Sequence, residues 1–302
     1  MGAPIAERLR AAGYPLVVHN RTREKAESLL ATGVPWAFTA RDVGRAATGA
    51  VVFTALTDAR AVEKVLYGRQ GLVRGLRPGA LVVDLSTIAP AQSRGFAERL
   101  LTDGIHFVDA PLGGSVEAAR NGRLLAFVGG AAEDVARARP YLERFTRRVE
   151  HLGPVGAGSS MKLVNNLLAL SYVALAGEAL ALSDRFGLDR SRVVDLLLDG
   201  GGRSALLEQK RLAFEERRYP PQFKLRLAEK DLKLIGRAAH DVGAEVRLAG
   251  EVRRLLRESL RAGHGEEDFS AVFEAAILRG RGDTGGEGGR AVPAVESAVP
   301  PS

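Results

Sequence analysis

The sequence predicts two fold classes in one chain: an α/β half built on a parallel sheet covered by helices, followed by an all-helical half. Two observations predict it. Up to about residue 152, short β-branched-rich apolar runs alternate with amphipathic stretches. From Gly153 onward only helical patterns remain, broken at Gly187, Gly200-Gly201-Gly202, Pro220-Pro221, Gly243 and Gly263-His264-Gly265. The chain of 302 residues is long enough for two domains with separate cores. The boundaries read as 1–152 and 153–278, with a tail over 279–302 that is rich in Gly, Pro, Ala and acidic residues, has no period, and is expected to be disordered.

Taken in order, the chain opens on a helix, Met1-Gly2-Ala3-Pro4-Ile5-Ala6-Glu7-Arg8-Leu9, that stops before Gly13-Tyr14-Pro15. The strands predicted after it are Leu16 to Asn20, Gly49 to Leu56, Ala80 to Ser86, His106 to Ala110 and Leu125 to Gly130. Between them Thr22 is placed to cap a helix from Arg23 to about Thr32, with Lys25 and Glu27 facing water, and Pro90 to open one that runs to Leu101. Trp36, the single tryptophan, is read as packing. The apolar run from Leu163 to Leu182 approaches membrane-span length, but Asn165, Asn166 and Glu178 interrupt it, so it is read as a helix buried between domains.

Composition narrows the chemistry. With 46% hydrophobic and 26% charged residues the chain has ordinary globular proportions. No cysteine means no disulfide, thiolate nucleophile or thiolate metal site, and the five scattered histidines lack ligand spacing, so no metal centre is expected. The net charge of +7 is spread over helices and interleaved with acids, as in Glu215-Glu216-Arg217-Arg218, which reads as solvated faces and not a nucleic-acid surface. No signal peptide or lipidation motif precedes the first helix, so the cytoplasm is the expected compartment and no membrane partner is expected.

Gly2 at the start of the first helix fits the third glycine of a Gly-x-Gly-x-x-Gly dinucleotide-binding turn, where backbone N–H groups and the helix dipole hold a pyrophosphate. The strand and first two glycines of such a turn are then expected upstream of Met1. The other reading is an amphipathic helix that simply begins the chain. Asn20-Arg21-Thr22 stands at the end of the next strand, where an acidic residue would grip the ribose hydroxyls of NAD; a guanidinium with two small polar groups suits a 2′-phosphate, hence NADP, with NAD still admissible. Arg21 as an exposed turn residue is the competing reading.

Three glycines then run into an apolar helix with a single lysine, Gly153-Pro-Val-Gly156-Ala-Gly158-Ser-Ser-Met-Lys162-Leu-Val-Asn-Asn166. Helical spacing puts Lys162 and Asn166 on one face among leucines, where an ammonium has a lowered pKa and becomes usable as a proton donor and acceptor. A surface lysine at a helix start is the plainer alternative.

These motifs together resemble the β-hydroxyacid dehydrogenase family, which includes 3-hydroxyisobutyrate dehydrogenases, tartronate semialdehyde reductases and glyoxylate/succinic semialdehyde reductases. The resemblance spans Met1 to Leu278. It rests on Asp84-Leu85-Ser86-Thr87, on Asp109-Ala110-Pro111-Leu112-Gly113-Gly114-Ser115, on the Gly153, Gly156, Gly158, Lys162, Asn166 series, and on Lys230-Asp231-Leu232. It implies a Rossmann domain lacking its first strand, then a helical domain of the 6-phosphogluconate dehydrogenase type. It also implies that Lys162 is the catalytic acid/base and that Asn166 orients the reacting oxygen. Gly113, Gly114 and Ser115 are implied to hold the substrate carboxylate; Gly113 replaces the family's usual serine and Ser115 its last glycine. Leu56, Thr57, Thr87 and Lys230 are implied to lie along the cofactor, Thr57 replacing a proline, while Asp231 holds a helix contact.

The expected activity is NADP-preferring interconversion of a small 2- or 3-hydroxy acid and its aldehyde or keto acid. An imine reductase is the second expectation, against which Lys162 speaks, since related reductases commonly carry another proton donor there. A non-catalytic oligomer that has lost cofactor binding is the third. Leu196-Leu197-Leu198 and Leu206-Leu207 suggest apolar faces for a homodimer or homotetramer.

Overall fold

The computed structural model describes residues 1–47 and 51–282. Helix α1 (Gly2–Ala11) is followed by the short helices α2 (Glu27–Leu30) and α3 (Ala40–Ala46). Strand β1 (Val51–Thr54), α4 (Ala59–Tyr67), β2 (Leu81–Asp84), α5 (Pro90–Leu101) and β3 (His106–Asp109) then build a parallel sheet in the order β1-β2-β3. β2 is central and wholly buried, and its alternation serves both faces. Leu81 and Val83 join Ile5, Leu9, Val108 and Val128 on one side, whereas Val82 joins Val62, Leu66, Leu100 and Phe107 on the other.

A second sheet is made of β4 (Leu112–Gly113), β5 (Leu124–Val128) and β6 (Thr146–His151), with α6 (Val116–Arg120) and α7 (Ala132–Leu142) between them. β4 runs antiparallel and β6 parallel to β5, and an antiparallel bridge between Asp109 and Gly129 joins the two sheets. After β6 the chain is helical: α8 (Ala157–Arg185), α9 (Arg190–Asp199), α10 (Ala205–Glu216), α11 (Leu225–Asp241), α12 (Arg247–Arg261) and α13 (Val272–Gly282). Leu163, Leu170, Val173 and Leu180 of α8 centre the core of this half, against Val194, Phe214, Leu232, Leu256 and Phe273.

Several sequence expectations need correction. Leu16 to Asn20 is not a sheet strand: it makes one isolated bridge, Val18 to Trp36, closed by Val18 N–H to Pro35 O at 3.1 Å and Ala37 N–H to Val18 O at 2.9 Å. A strand needs a ladder partner, and among the described residues neither this segment nor the outer edge of β1 has one. Thr22 does not cap with its side chain. The chain first makes a 3₁₀ turn over Arg23–Ala26, and α2 ends at Leu30. Lys25 and Glu27 are exposed as expected. The predicted strand residues Gly49 and Ala50 lie outside the described residues, as does 283–302 of the expected tail; α13 runs past Leu278 to Gly282. Trp36 is half-buried, with the His19 ring 5.7 Å away and the Arg23 guanidinium 5.7 Å from its centroid.

The apolar surface expected on α9 and α10 is elsewhere. Leu207 is core, Leu197, Leu198 and Leu206 pack against it, and of these five leucines Leu196 alone is exposed, with Leu212 further along α10 exposed as well. α8 is the one described helix long and apolar enough, by length and composition, to cross a membrane. One side of it enters the core, and the other shows Val164, Leu168, Leu175 and Leu182 to solvent, continued by Phe186.

Candidate active site

The site is organised by the way α8 starts. Gly156 caps the helix in a left-handed conformation, φ 96°, that an L side chain rarely adopts. Gly158 presses the first turn onto the sheets so closely that a Cβ there would stand 2.2 Å from the Phe127 carbonyl oxygen and 2.8 Å from that of Asp109. Asp109, at the end of β3, then takes the role a helix-capping residue normally plays. Its Oδ1 accepts from Gly156 N–H at 2.7 Å and its Oδ2 from Ser159 N–H at 2.6 Å. Burial pushes the Asp109 carboxyl up, and the bonds from Gly156 and Ser159 oppose that rise. Ser159 Oγ also meets Ser93 Oγ of α5 at 2.9 Å, so three elements fix this turn.

Lys162 and Asn166 project from the next turns of α8. Burial lowers the Lys162 ammonium to about 8, Asp231 working to raise it and Lys230 to lower it further. Asn166 is buried; its Nδ2 donates to Asp231 Oδ2 at 2.8 Å, and its Oδ1 accepts from Asn165 Nδ2 at 3.1 Å. Lys230 Nζ stands 2.8 Å from Asp231 Oδ1 and donates to the carbonyl oxygens of Thr57 at 2.8 Å and Thr87 at 3.1 Å. Asn166, Asp231, Lys230, Thr57 and Thr87 are thereby brought into one network across the two halves, and Lys162 feels the charges of Asp231 and Lys230 in it. Lys230 does make the ion pair with Asp231 that the plainer reading allowed, but Glu229 pairs with Arg253 instead.

Gly113 packs on Phe127, while no hydrogen bond among the described residues ties Gly113, Gly114 or Ser115 to Lys162, Asn166 or Lys230. A Cβ on Gly113 would lie 3.1 Å from the Phe127 ring, whose carbonyl in turn abuts Gly158. Gly114 has φ 123°, and a Cβ there would sit 2.8 Å from Leu124 Cδ2. Ser115 caps α6, its Oγ accepting from Ala118 N–H at 3.3 Å. Gly2 opens α1 beside the end of β1, where a Cβ would be 3.8 Å from that of Ala55, and Leu56 N–H donates to Ser86 Oγ at 2.9 Å. Asn20, Arg21 and Thr22 form an exposed turn held by Asn20 Nδ2 to Thr22 O at 2.7 Å, and no hydrogen bond among the described residues ties it to Gly2 or Leu56.

These groups fit a dinucleotide. The first N–H groups of α1 have no side-chain cap, which leaves them for an anion, and Leu56, Thr57 and Thr87 stand at the ends of adjacent parallel strands, where α/β sheets take their ligands. Among the described residues no group of three His, Asp or Glu could hold a metal.

Residues 1–153 match the NAD binding domain of 6-phosphogluconate dehydrogenase, and residues 156–276 the NAD-binding family of NADP-dependent 3-hydroxyisobutyrate dehydrogenase. The chain belongs to the β-hydroxyacid dehydrogenase family. Among its relatives, the 3-hydroxyisobutyrate dehydrogenase of Pseudomonas aeruginosa is 34% identical over 93% of this chain and 96% of its own length. The crystal structure of 3-hydroxyisobutyrate dehydrogenase from Salmonella typhimurium superposes with a TM-score of 0.82 at 27% identity, covering 90% of this chain and 95% of that one. The structure of Psf3 in complex with NADP+ and 2-OPP gives 0.83 at 30% identity, covering 91% and 96%. As a β-hydroxyacid dehydrogenase, the chain has the Rossmann-type cofactor fold followed by the family's helical half.

Sequence reasoning singled out Lys162 and Asn166 but not Asp109 as the cap of their helix, and it gave Asp231 only a helix contact. For Asp109 the signal was present, since a buried carboxylate ending a strand needs donors, and the glycine-rich start of α8 offers bare N–H groups.

Proposed function

We propose that this chain is an NADP-preferring oxidoreductase that interconverts a small 2- or 3-hydroxy acid and its aldehyde or keto acid, with Lys162 as the proton donor and acceptor. The observation that carries the reading is the placement of Lys162 and Asn166 one turn apart on α8, with Asn166 hydrogen-bonded to Asp231 beside Lys230, whose Nζ reaches the turns after β1 and β2. Burial that lowers the Lys162 ammonium to about 8 supports it. Residues 1–152 hold the cofactor and residues 153–278 the acid/base helix. The chemistry that a nicotinamide would supply here is hydride donation to, or acceptance from, the carbon that bears the reacting oxygen. The chain does the rest. Lys162 Nζ gives its proton to the carbonyl oxygen as the hydride arrives and removes it from the hydroxyl in oxidation. The second N–H of Asn166 Nδ2, which makes no bond among the described residues, would hold the same oxygen. Gly113, Gly114 and Ser115 offer backbone N–H groups to the carboxylate. Gly2 serves the pyrophosphate, Asn20, Arg21 and Thr22 the 2′-phosphate, and Leu56, Thr57, Thr87 and Lys230 the nicotinamide side.

The names of the relatives support the substrate class, and the NADP+ held by Psf3 supports the cofactor. Imine reductases share the fold at 21% identity, with a TM-score of 0.59, and Lys162 remains the feature that speaks against that activity here. We also place the enzyme in the cytoplasm as a homodimer or homotetramer; the exposed stripe of Val164, Leu168, Leu175, Leu182 and Phe186 supports self-association.

The test is a panel of small hydroxy acids and semialdehydes with each nicotinamide, run on the wild type, Lys162→Met and Arg21→Ala. We expect turnover preferring NADPH, loss in Lys162→Met, and in Arg21→Ala a rise of about tenfold in the KM for NADPH with little change for NADH. Turnover retained in Lys162→Met would overturn the acid/base assignment, and equal effects on both nicotinamides would overturn the role of Arg21.

A further inference from the structure

Asp231 is 1% exposed, deep on α11, and a carboxylate so placed costs several kcal/mol unless it is paired. Its two oxygens meet partners from different parts of the site, Oδ2 through a hydrogen bond and Oδ1 through the Lys230 ammonium alone, with no hydrogen bond of its own among the described residues. Oδ2 takes the Asn166 amide N–H at 2.8 Å, and Oδ1 faces Lys230 Nζ at 2.8 Å, the same Nζ that grips the Thr57 and Thr87 carbonyls at the ends of the turns after β1 and β2. The Asn166 bond also settles which end of that amide is which. With Nδ2 committed to Asp231 and Oδ1 to Asn165, one N–H remains for a ligand oxygen and the acceptor end is turned away.

We propose that Asp231 is a positioning residue of this site, a single buried carboxylate that locks the Asn166 amide and anchors Lys230 against the cofactor-side turns. The proposal rests on the acid/base reading of Lys162. A role in packing alone would be filled equally well by an asparagine, which keeps the shape and a hydrogen bond to Asn166; the charge is what distinguishes the two. From the elements around this turn of α8, the charged groups that act on Lys162 are Asp231 and Lys230, both of α11 and of opposite sign. Removing each one therefore has an opposite effect on the lysine, which a loosened fold would not produce.

The experiment follows the Lys162 ammonium directly, by NMR of isotope-labelled lysine in the full chain, with its signal assigned through Lys162→Arg. In Asp231→Asn the Lys162 titration midpoint falls, by about tenfold in acid constant. In Lys230→Met it rises. Steady-state kinetics on Asp231→Asn show the loss in kcat more than in KM. Midpoints that stay in place, or that move in the same direction in both variants, overturn the proposal. Should Asp231→Asn fail to fold, Asp231→Glu keeps the charge while displacing it; a loss of kcat there, with the Lys162 midpoint still raised relative to that of a charge-free site, supports the positioning role, and an unchanged kcat overturns it. The midpoint readout needs no substrate. Opposite shifts without turnover of any hydroxy acid would leave the positioning role standing and remove the oxidoreductase reading.

Discussion

Gly158→Ala sets two effects of known sign against each other at the second residue of α8. Alanine is the better helix former by about 1 kcal/mol, so propensity alone predicts a more stable protein. The contacts predict the reverse. The added Cβ would lie 2.2 Å from the Phe127 carbonyl oxygen and 2.8 Å from that of Asp109. A comfortable C···O approach is about 3.3 Å, so the first turn has to lift by about 1 Å, and both obstacles are backbone that cannot rotate aside. Overpacking of this kind costs about 1–3 kcal/mol and exceeds the propensity gain at most of that range. The same lift stretches the bonds of 2.7 and 2.6 Å from Gly156 and Ser159 to Asp109 and carries Lys162 with it. A displacement of about 1 Å at a reacting group costs about a hundredfold in rate. Urea denaturation and kcat/KM on the same preparation measure both losses. A variant as stable and as active as the wild type would refute the claim that this glycine sets the depth of α8.

Because Lys162 is held at about 8, reduction, which needs the ammonium, falls as pH rises through 8, while oxidation, which needs the free amine, rises through it; pH profiles of kcat/KM in both directions check this, and Lys162→Met removes that limb along with about 10²–10⁴-fold of the rate. Gly113→Ser, which installs the residue usual in the family, brings Cβ to 3.1 Å from the Phe127 ring, so a stability loss of about 1 kcal/mol is expected in thermal melts, and pairing it with Phe127→Leu restores most of that loss. Asp84 is buried, accepts from Thr54 Oγ1, Ser86 Oγ and Ser86 N–H, and is pushed by burial up to about 6. The folded chain therefore holds this proton to higher pH than the unfolded chain, and the contribution of Asp84 is full below about pH 4 and lost as pH rises through 6, by about 3 kcal/mol at most. Denaturation midpoints of the wild type relative to Asp84→Asn, measured at pH 4 and pH 7, should fall accordingly; a constant difference would refute it.

How much of this was legible in the sequence depended on whether the information was local. The breaks at Gly187, Gly243 and Gly263 were readable because a helix end is written in its own residues. Lys162 and Asn166 were readable because four-residue spacing defines one helical face. β6 was not, since Thr-Arg-Arg-Val-Glu-His is polar and alternates weakly; it is a strand because β5 offers it a ladder on one side. Leu16 to Asn20 failed in the opposite way, having the composition of a strand but only the single bridge from Val18 to Trp36 among the described residues. Asp109 and Asp231 owe their roles to donors 47 and 65 residues away in sequence, a separation at which spacing carries no information. The leucines of α9 and α10 misled because a run of apolar residues does not say which side will be covered by its own chain.

α8 carries two kinds of surface on neighbouring turns. Lys162 and Asn166 look toward α11, and Val164 and Leu168 look outward at the head of an apolar stripe that continues to Leu182. At 29 residues the helix is a rod of about 43 Å, stiff over its whole length. If the proposed self-association uses this outer side, the contact also holds the turn that carries Lys162, and dilution that separates the copies is expected to lower turnover. On the proposed reading, a substitution on the outer stripe and one beside Lys162 act on the same rigid rod.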